Sequence, residues 1–157
     1  GSFDTSAATQ GTAAADTITL ADGPGINYHA LDGDDMISGG TGDDNIWGGR
    51  GDDTMTGGAG ADTFWITFED AGSDTITDLS TVDGDVVDIS QLLIGYTGGD
   101  ISDYVTAVDD GAGDTKLVID HDGAGALNSP VEVTLEGVAF SGSVVDDLIA
   151  SNTLVVA

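Results

Sequence analysis

The sequence contains no cysteine, so neither a disulfide nor a thiolate-held metal can stabilise its fold. Basic side chains are almost as scarce. Among 157 residues only Arg50 and Lys116 are basic, against 29 acidic residues, for a formal net charge of −27. That balance excludes nucleic acid as a partner, and an anionic membrane surface would repel the chain. No apolar run approaches the roughly 20 residues of a membrane-spanning helix, so membrane insertion is not expected. His29 and His121 are the only histidines, and neither has a second histidine at metal-binding spacing, which argues against zinc. No Gly-x-Ser-x-Gly elbow is present, and the chain is not expected to be an enzyme.

What the chain does have is aspartate and glycine. Only three of the acidic residues are glutamate, and there are 25 glycines. Glutamate suits helices, whereas aspartate suits turns and oxygen-only cation sites. Asp35, Asp44, Asp53 and Asp62 recur at a fixed nonapeptide interval, each closing a short run: ALDGDD (30–35), GGTGDD (39–44), GGRGDD (48–53) and GGAGAD (57–62). Two positions after each comes a large apolar residue, Ile37, Ile46, Met55 or Phe64. Glycine is so dense between 39 and 60 that tight turns with very short strands are predicted there, and neither a helix nor a long strand. The segment 11–19 is a degraded repeat around Asp16 and Ile18. The interval from Asp16 to Asp35 is two repeats plus one position, and the extra residue is expected around Pro24.

The nonapeptide G-G-x-G-x-D-x-U-x, with U a large apolar residue, resembles the calcium-binding repeat of RTX (repeats-in-toxin) proteins. The resemblance implies an all-β fold: a parallel β-roll, or calcium-binding β-solenoid, in which each nonapeptide makes half a coil. Turns two repeats apart would sandwich Ca²⁺ with carboxylate and backbone carbonyl oxygens. The implied pairs are Asp44 with Asp62 and Asp35 with Asp53, with a further site between Asp16 and Asp35. The turn backbones implied to contribute are those of Ala30, Asp32, Gly33, Gly39, Thr41, Gly42, Gly48, Arg50, Gly51, Gly57, Ala59 and Gly60. Asp22 and Asp32 are candidates for additional sites near 20–27. Where the repeats end, Asp74, Asp78, Asp83, Asp85 and Asp88 are dense, and Asp74 and Asp78 are the better candidates for a site at that junction. Roughly three to five ions are expected. Tyr28, Ile37, Ile46, Met55 and Phe64 are expected to form a thin core. A site held at 100 times its Kd contributes about 2.7 kcal/mol, so four would contribute on the order of 11 kcal/mol, comparable to a domain's stability. The repeats are therefore expected to fold in millimolar calcium and to be disordered at cytosolic calcium.

Three regions are expected: a frayed lead-in (1–10), the β-roll (11–65) and a β-rich cap with short helices (66–157). The later segment resembles the C-terminal, type I secretion signal region of large bacterial RTX adhesins, on ADTFWITFEDAGSDTITDL (61–79), GDVVDISQLL (84–93), ISDYV (101–105), VTLEGVAF (133–140) and NTLVVA (152–157). That resemblance implies an ABC transporter complex as export partner and a secreted or cell-surface protein of a Gram-negative bacterium. Asp88 or Ser90 is a candidate helix cap within 86–95, and 144–150 a candidate helix of one or two turns. Asp120 to Gly123 hints at an EF-hand, but Ala124 and Val131 occupy positions where that loop needs oxygen ligands. Two other functions remain open. Trp47 and Trp65 could stack on a carbohydrate or surface receptor, and the segment could belong to a secreted RTX hydrolase.

Overall fold

The computed structural model of the protein describes residues 9–67, 72–93, 95–98, 100–121 and 130–157. Most of the expected lead-in and positions 122–129 lie outside the described residues.

Two sheets face one another. The first holds β1 (Thr9–Gln10), β3 (Asn27–Asp32), β5 (Asn45–Arg50), β7 (Thr63–Trp65), β9 (Val86–Asp88) and β13 (Leu154–Val155), in that spatial order. The second runs β2 (Thr17–Thr19), β4 (Met36–Thr41), β6 (Thr54–Ala59), β8 (Ser73–Ile76), β12 (Val131–Ala139), β11 (Asp114–Ile119) and β10 (Val105–Asp109). Successive strands of the chain alternate between the sheets up to β9, and every neighbour within a sheet up to that point is parallel. This is the β-roll that the resemblance to RTX repeats implies.

The register follows from the apolar period. Tyr28, Ile46, Phe64 and Val87 align across the first sheet, and Ile18, Ile37, Met55 and Ile76 across the second. All but Ile18 are buried, with Ile37, Ile46, Met55 and Phe64 fully enclosed. Each such side chain contributes about 1.5–3 kcal/mol. The single-file column between the sheets is the thin core expected from the sequence.

The strands β3, β4, β5 and β6 are 6 residues each, and β4, β5 and β6 run through the glycine pairs that suggested shorter ones. The reason is the repeat itself. Identical turns stack on one another, so the backbone goes on pairing where the side chains vanish, as in Gly40↔Gly58 and Thr41↔Ala59. Stacking at this distance leaves no room for a side chain. Gly49 has φ of 108°, and a Cβ placed there would strike the carbonyl oxygen of Leu31. Leu31 fills the equivalent position one coil earlier with φ of 89°, a strained conformation for a residue with a Cβ.

The extra residue lies where the sequence places it. Thr17 pairs with Met36, whereas Asn27 pairs with Asn45, so the earlier coil is longer by a single residue. Gly23 still donates its N–H to the Thr41 oxygen at 3.1 Å, and Ile26 already occupies the regular aspartate position, so Pro24 and Gly25 absorb the insertion.

The division expected after Trp65 interrupts neither sheet. β8 and β9 complete two further half-coils on β6 and β7, through connections longer than those of the regular repeat (Thr54↔Thr75, Phe64↔Val87). The cap grows from them. β12 adds in parallel to β8, β11 and β10 follow antiparallel, and β13 adds in parallel to β9. Leu117, Ile119, Val133 and Leu135 are buried beneath them. The helix candidate at 86–95 is instead strand β9 and a turn. Asp88 accepts the N–H of Ser90 at 2.9 Å and its hydroxyl at 2.6 Å, a local turn rather than a helix cap. The helix of the described residues is α1 (Val144–Ala150), which buries Val144 and Leu148 on one face and carries Asp146 and Asp147 in its first turn, where the helix dipole favours them.

Gly49→Ala combines a left-handed residue with a backbone clash, and is expected to lower calcium-saturated stability by about 2 kcal/mol or more, read from thermal unfolding. An unchanged melting curve would contradict the stacked-turn geometry.

Candidate metal centre

The turns at each end of the coils line up on two edges. One edge carries Asp16, Asp35, Asp53 and Asp74; the other carries Ile26, Asp44, Asp62 and Asp85. Along each edge, the first three backbone N–H groups at this position donate to a carboxylate oxygen one coil ahead. Asp16 N–H donates to Asp35 Oδ1 at 2.7 Å, Asp35 to Asp53 at 2.8 Å and Asp53 to Asp74 at 3.1 Å. On the opposite edge Ile26 donates to Asp44 at 2.7 Å, Asp44 to Asp62 at 2.8 Å and Asp62 to Asp85 at 3.0 Å.

Only one oxygen of each carboxylate is used in this way. Oδ2 of Asp35, Asp44, Asp53 and Asp62 is buried with no hydrogen-bond partner. These four side chains are 2%, 1%, 1% and 0% exposed. An ionised carboxylate in such a place is costly unless a cation completes it. Space for that oxygen comes from the first glycine of the turn: a Cβ at Gly39 would lie 2.7 Å from Asp44 Oδ2, and Cβ atoms at Gly48 and Gly57 would overlap Asp53 Oδ2 and Asp62 Oδ2.

Carbonyl oxygens line the same turns. Those of Leu31, Gly33, Gly40 and Gly42 sit where side chains on Gly49, Gly51, Gly58 and Gly60 of the next coil would be. The carbonyls of Thr41, Arg50 and Ala59 accept the N–H groups of Gly23, Gly33 and Gly42, and each keeps a second lone pair. Paired aspartates amid carbonyl oxygens are the donor set of a hard divalent cation such as calcium. No cluster of three or more acidic or histidine side chains forms a ligand set among the described residues. A site built mostly from backbone oxygens does not need one.

Burial pushes the carboxyls of Asp53 and Asp62 up to about 6, and neighbouring carboxylates add to the rise. Burial raises Asp35, Asp44 and Asp85 as well, while the ladder N–H groups pull the other way. Asp16 differs: its Oδ2 accepts both the N–H and the hydroxyl of Thr12 at 2.8 Å, so the degraded repeat satisfies its own carboxylate.

Asp35 stands with Asp53 on one edge, extended by Asp16 and Asp74, and Asp44 with Asp62 on the other. Asp78 lies on the other edge, accepting the N–H groups of Gly57 at 2.9 Å and Gly58 at 2.8 Å. Ala30 is fully buried at the start of its turn, and Asp32 is exposed and in register with Arg50. Asp22 is exposed near Gly40. Asp85 ranks behind Asp74 and Asp78 in the sequence, yet it stands on the ladder itself. Asp85-Val86-Val87 repeats the aspartate-x-apolar signal of Asp74-Thr75-Ile76. A second ladder has no counterpart among the sequence expectations. Exposed Asp34, Asp43 and Asp52 accept the N–H groups of Asp52, Ala61 and Ser73 at 3.0, 2.9 and 2.9 Å, running in the opposite direction.

Residues 29–64 match the family described as the RTX calcium-binding nonapeptide repeat, in four copies. These residues are RTX repeats. Over its length the chain is similar to the solution structure of the AlgE6R3 subunit of the Azotobacter vinelandii mannuronan C5-epimerase, at 27% identity and TM-score 0.65, covering 94% of this chain and 81% of that one. The AlgE6R2 subunit of the same enzyme is similar at 26% identity and TM-score 0.59, covering 96% and 90%. No curated protein matches the chain. The RTX match supports calcium as the ligand of the repeats, and the orphaned Oδ2 atoms are where a cation would complete the buried carboxylates.

Protonation acts in opposite directions with and without calcium. A carboxyl raised in the folded state stabilises the ion-free fold when protonated, an effect fully present below the unfolded value of about 3.9 and lost as pH rises through about 6. Calcium needs the ionised form, so its affinity falls as pH drops through the same range. The calcium-free chain is therefore expected to be more ordered at about pH 5 than at about pH 7.5, and calcium affinity weaker at the lower pH, read by circular dichroism and calorimetry. Equal order and equal affinity at both values would contradict the buried-carboxylate account.

Proposed function

We propose that the chain is a calcium-triggered folding module, located at the C-terminal end of an RTX adhesin exported by type I secretion from a Gram-negative bacterium. The carrying observation is the row of four buried carboxylate oxygens without partners, in a chain of net charge −27. Without a divalent cation, self-repulsion and the desolvated carboxylates oppose the fold; with calcium, the same groups hold adjacent turns together. A chain of this kind stays unfolded at cytosolic calcium, passes an ABC transporter complex, and folds in the millimolar calcium outside. The segment 61–157 supports the secretion reading by its resemblance to secretion-signal regions, and β13 at its end completes the first sheet by pairing with β9. Among the described residues no helix is long and apolar enough to cross a membrane.

A surface-binding role is the second reading, favoured by the likeness to subunits of a mannuronan-modifying enzyme. Two observations weigh against it. Mannuronan is a polyuronate, and two basic residues against 29 acidic ones repel a polyanion. The face of Trp47 is stacked on His29, with ring centroids 4.0 Å apart, and Trp65 donates its indole N–H to Asn45 at 3.2 Å. Both tryptophans serve the outer face of the sheet. No catalytic step is assigned to this chain.

Export of a passenger fused to residues 1–157 through a type I transporter tests the proposal. Removal of the segment 152–157 is expected to keep the fusion inside the cell. If the truncated fusion reaches the medium, folded or not, the segment is not the export signal. Unfolded material outside would show that it only caps the roll.

A further inference from the structure

Among the described residues the second sheet stops at β10, which has a strand beside it on one side only. We propose that this edge, with the groove next to it, is a docking surface for an extended, basic segment of a partner protein, which adds to β10 as a further strand. The surface lies in the cap and is independent of the carboxylate ladders.

Strand pairing fixes which backbone groups face outward. Asp120 donates its N–H to the Tyr104 oxygen at 2.7 Å, and Asp110 donates to the Asp114 oxygen at 3.1 Å. Hydrogen-bonded residues alternate along an antiparallel pair, so Tyr104, Thr106, Val108 and Asp110 turn their backbone groups toward β11. Val105, Ala107 and Asp109 turn theirs to the open side. The Val105 N–H is taken by the Ile101 oxygen at 2.9 Å, and the N–H and carbonyl of Ala107 and Asp109 are the groups a new strand would meet. Sheet edges are commonly protected by lysine, proline or a bulge. β10 reads VTAVD and pairs with β11 without a register shift, so it has none of the three.

The groove has a volume of about 270 Å³ and lies between the segments 100–102, 105–107 and 140–146. Ile101, Val105 and Val144 are buried in its lining, whereas Phe140 is 40% exposed there. Charge selects the occupant. Asp100 and Asp146 line the groove, and Asp103, Asp109, Asp110 and Asp147 stand exposed on the adjoining segments. The one basic side chain of the cap, Lys116, is already engaged by Glu132 at 3.0 Å. A second copy of the chain would bring the same carboxylates to the interface, and like charges disfavour that pairing. A segment with apolar residues flanked by lysine or arginine is favoured instead. Main-chain hydrogen bonds to β10 hold it, an apolar side chain enters the groove against Phe140, and the flanking cations reach Asp100 and Asp146.

A short synthetic peptide with a core of alternating valine and threonine, flanked by lysines, tests the surface. It is titrated into the calcium-saturated full chain and followed by fluorescence anisotropy at about 0.15 M salt. Saturable one-to-one binding is expected, at least about tenfold tighter than for a peptide with the same lysines and a core of glycine and proline. Phe140→Ser and Ala107→Pro should each weaken it by at least about tenfold with the circular dichroism spectrum unchanged; the Ala107 N–H faces away from β11, so proline there removes no ladder bond. The pair Asp100→Asn and Asp146→Asn should weaken binding and flatten its salt dependence, and Glu136→Gln, exposed outside the groove, should bind as the parent. Equal binding of the two peptides overturns the proposal, since charge attraction alone would then account for it. Parent-like binding by Phe140→Ser overturns it by placing the peptide elsewhere, and this variant decides the matter even if Ala107→Pro fails to fold. A dimer of the parent chain without peptide, abolished by Ala107→Pro, overturns the choice of occupant.

Discussion

Four carboxylate oxygens stand inside this protein with nothing to bond to. Everything else in the roll follows from how they are held. Each belongs to an aspartate whose other oxygen is tied to the backbone one coil away, so none can turn to solvent. A buried charge without a partner is a destabilising feature in any fold. Here it recurs at a fixed interval on both edges, which makes the cation part of the structure and not an addition to it.

The apolar part of the roll is thin. Between the repeat sheets the core is one side chain deep, running from Ile18 and Tyr28 to Ile76 and Val87. The turns are built for closeness instead. Their glycines remove the side chains that would keep successive coils apart, and carbonyl or carboxylate oxygens occupy the vacated space. Glycine in the repeat thus serves the ion more than the chain's flexibility. The cap works differently, with antiparallel pairing and an ordinary core around Leu117, Val133 and Leu135, and it covers one end of the roll.

The parts legible in the sequence are those that repeat. A nonapeptide period in aspartate, glycine and apolar residues gives the alternation of sheets, the register of Ile37, Ile46, Met55 and Phe64, and the pairing of Asp35 with Asp53 and Asp44 with Asp62. Even the irregularity at Pro24 shows as one residue too many. The period hides whatever depends on stacking. Glycine pairs look like breaks in a strand when read along the chain, yet they pair across coils and lengthen it. Asp85 ranks low in the sequence because the step from Asp62 to Asp85 is longer than the regular step from Asp44 to Asp62, so a fixed period no longer reaches it. The ladder through Asp34, Asp43 and Asp52 is invisible for a different reason: an exposed aspartate in a turn reads as solvated surface until its neighbour one coil away is known. The helix expected at 86–95 does not form because Val87 and Ile89 alternate as a strand does, and parallel pairing to β7 outweighs local helix signals.

The account reduces to one claim: the ion completes the fold. Far-UV circular dichroism of the chain after chelation, and again in excess calcium chloride at neutral pH, measures that claim directly. A change from a largely disordered spectrum to a β-rich one, reversed by chelator, is the predicted result. Superimposable spectra with and without calcium would contradict it.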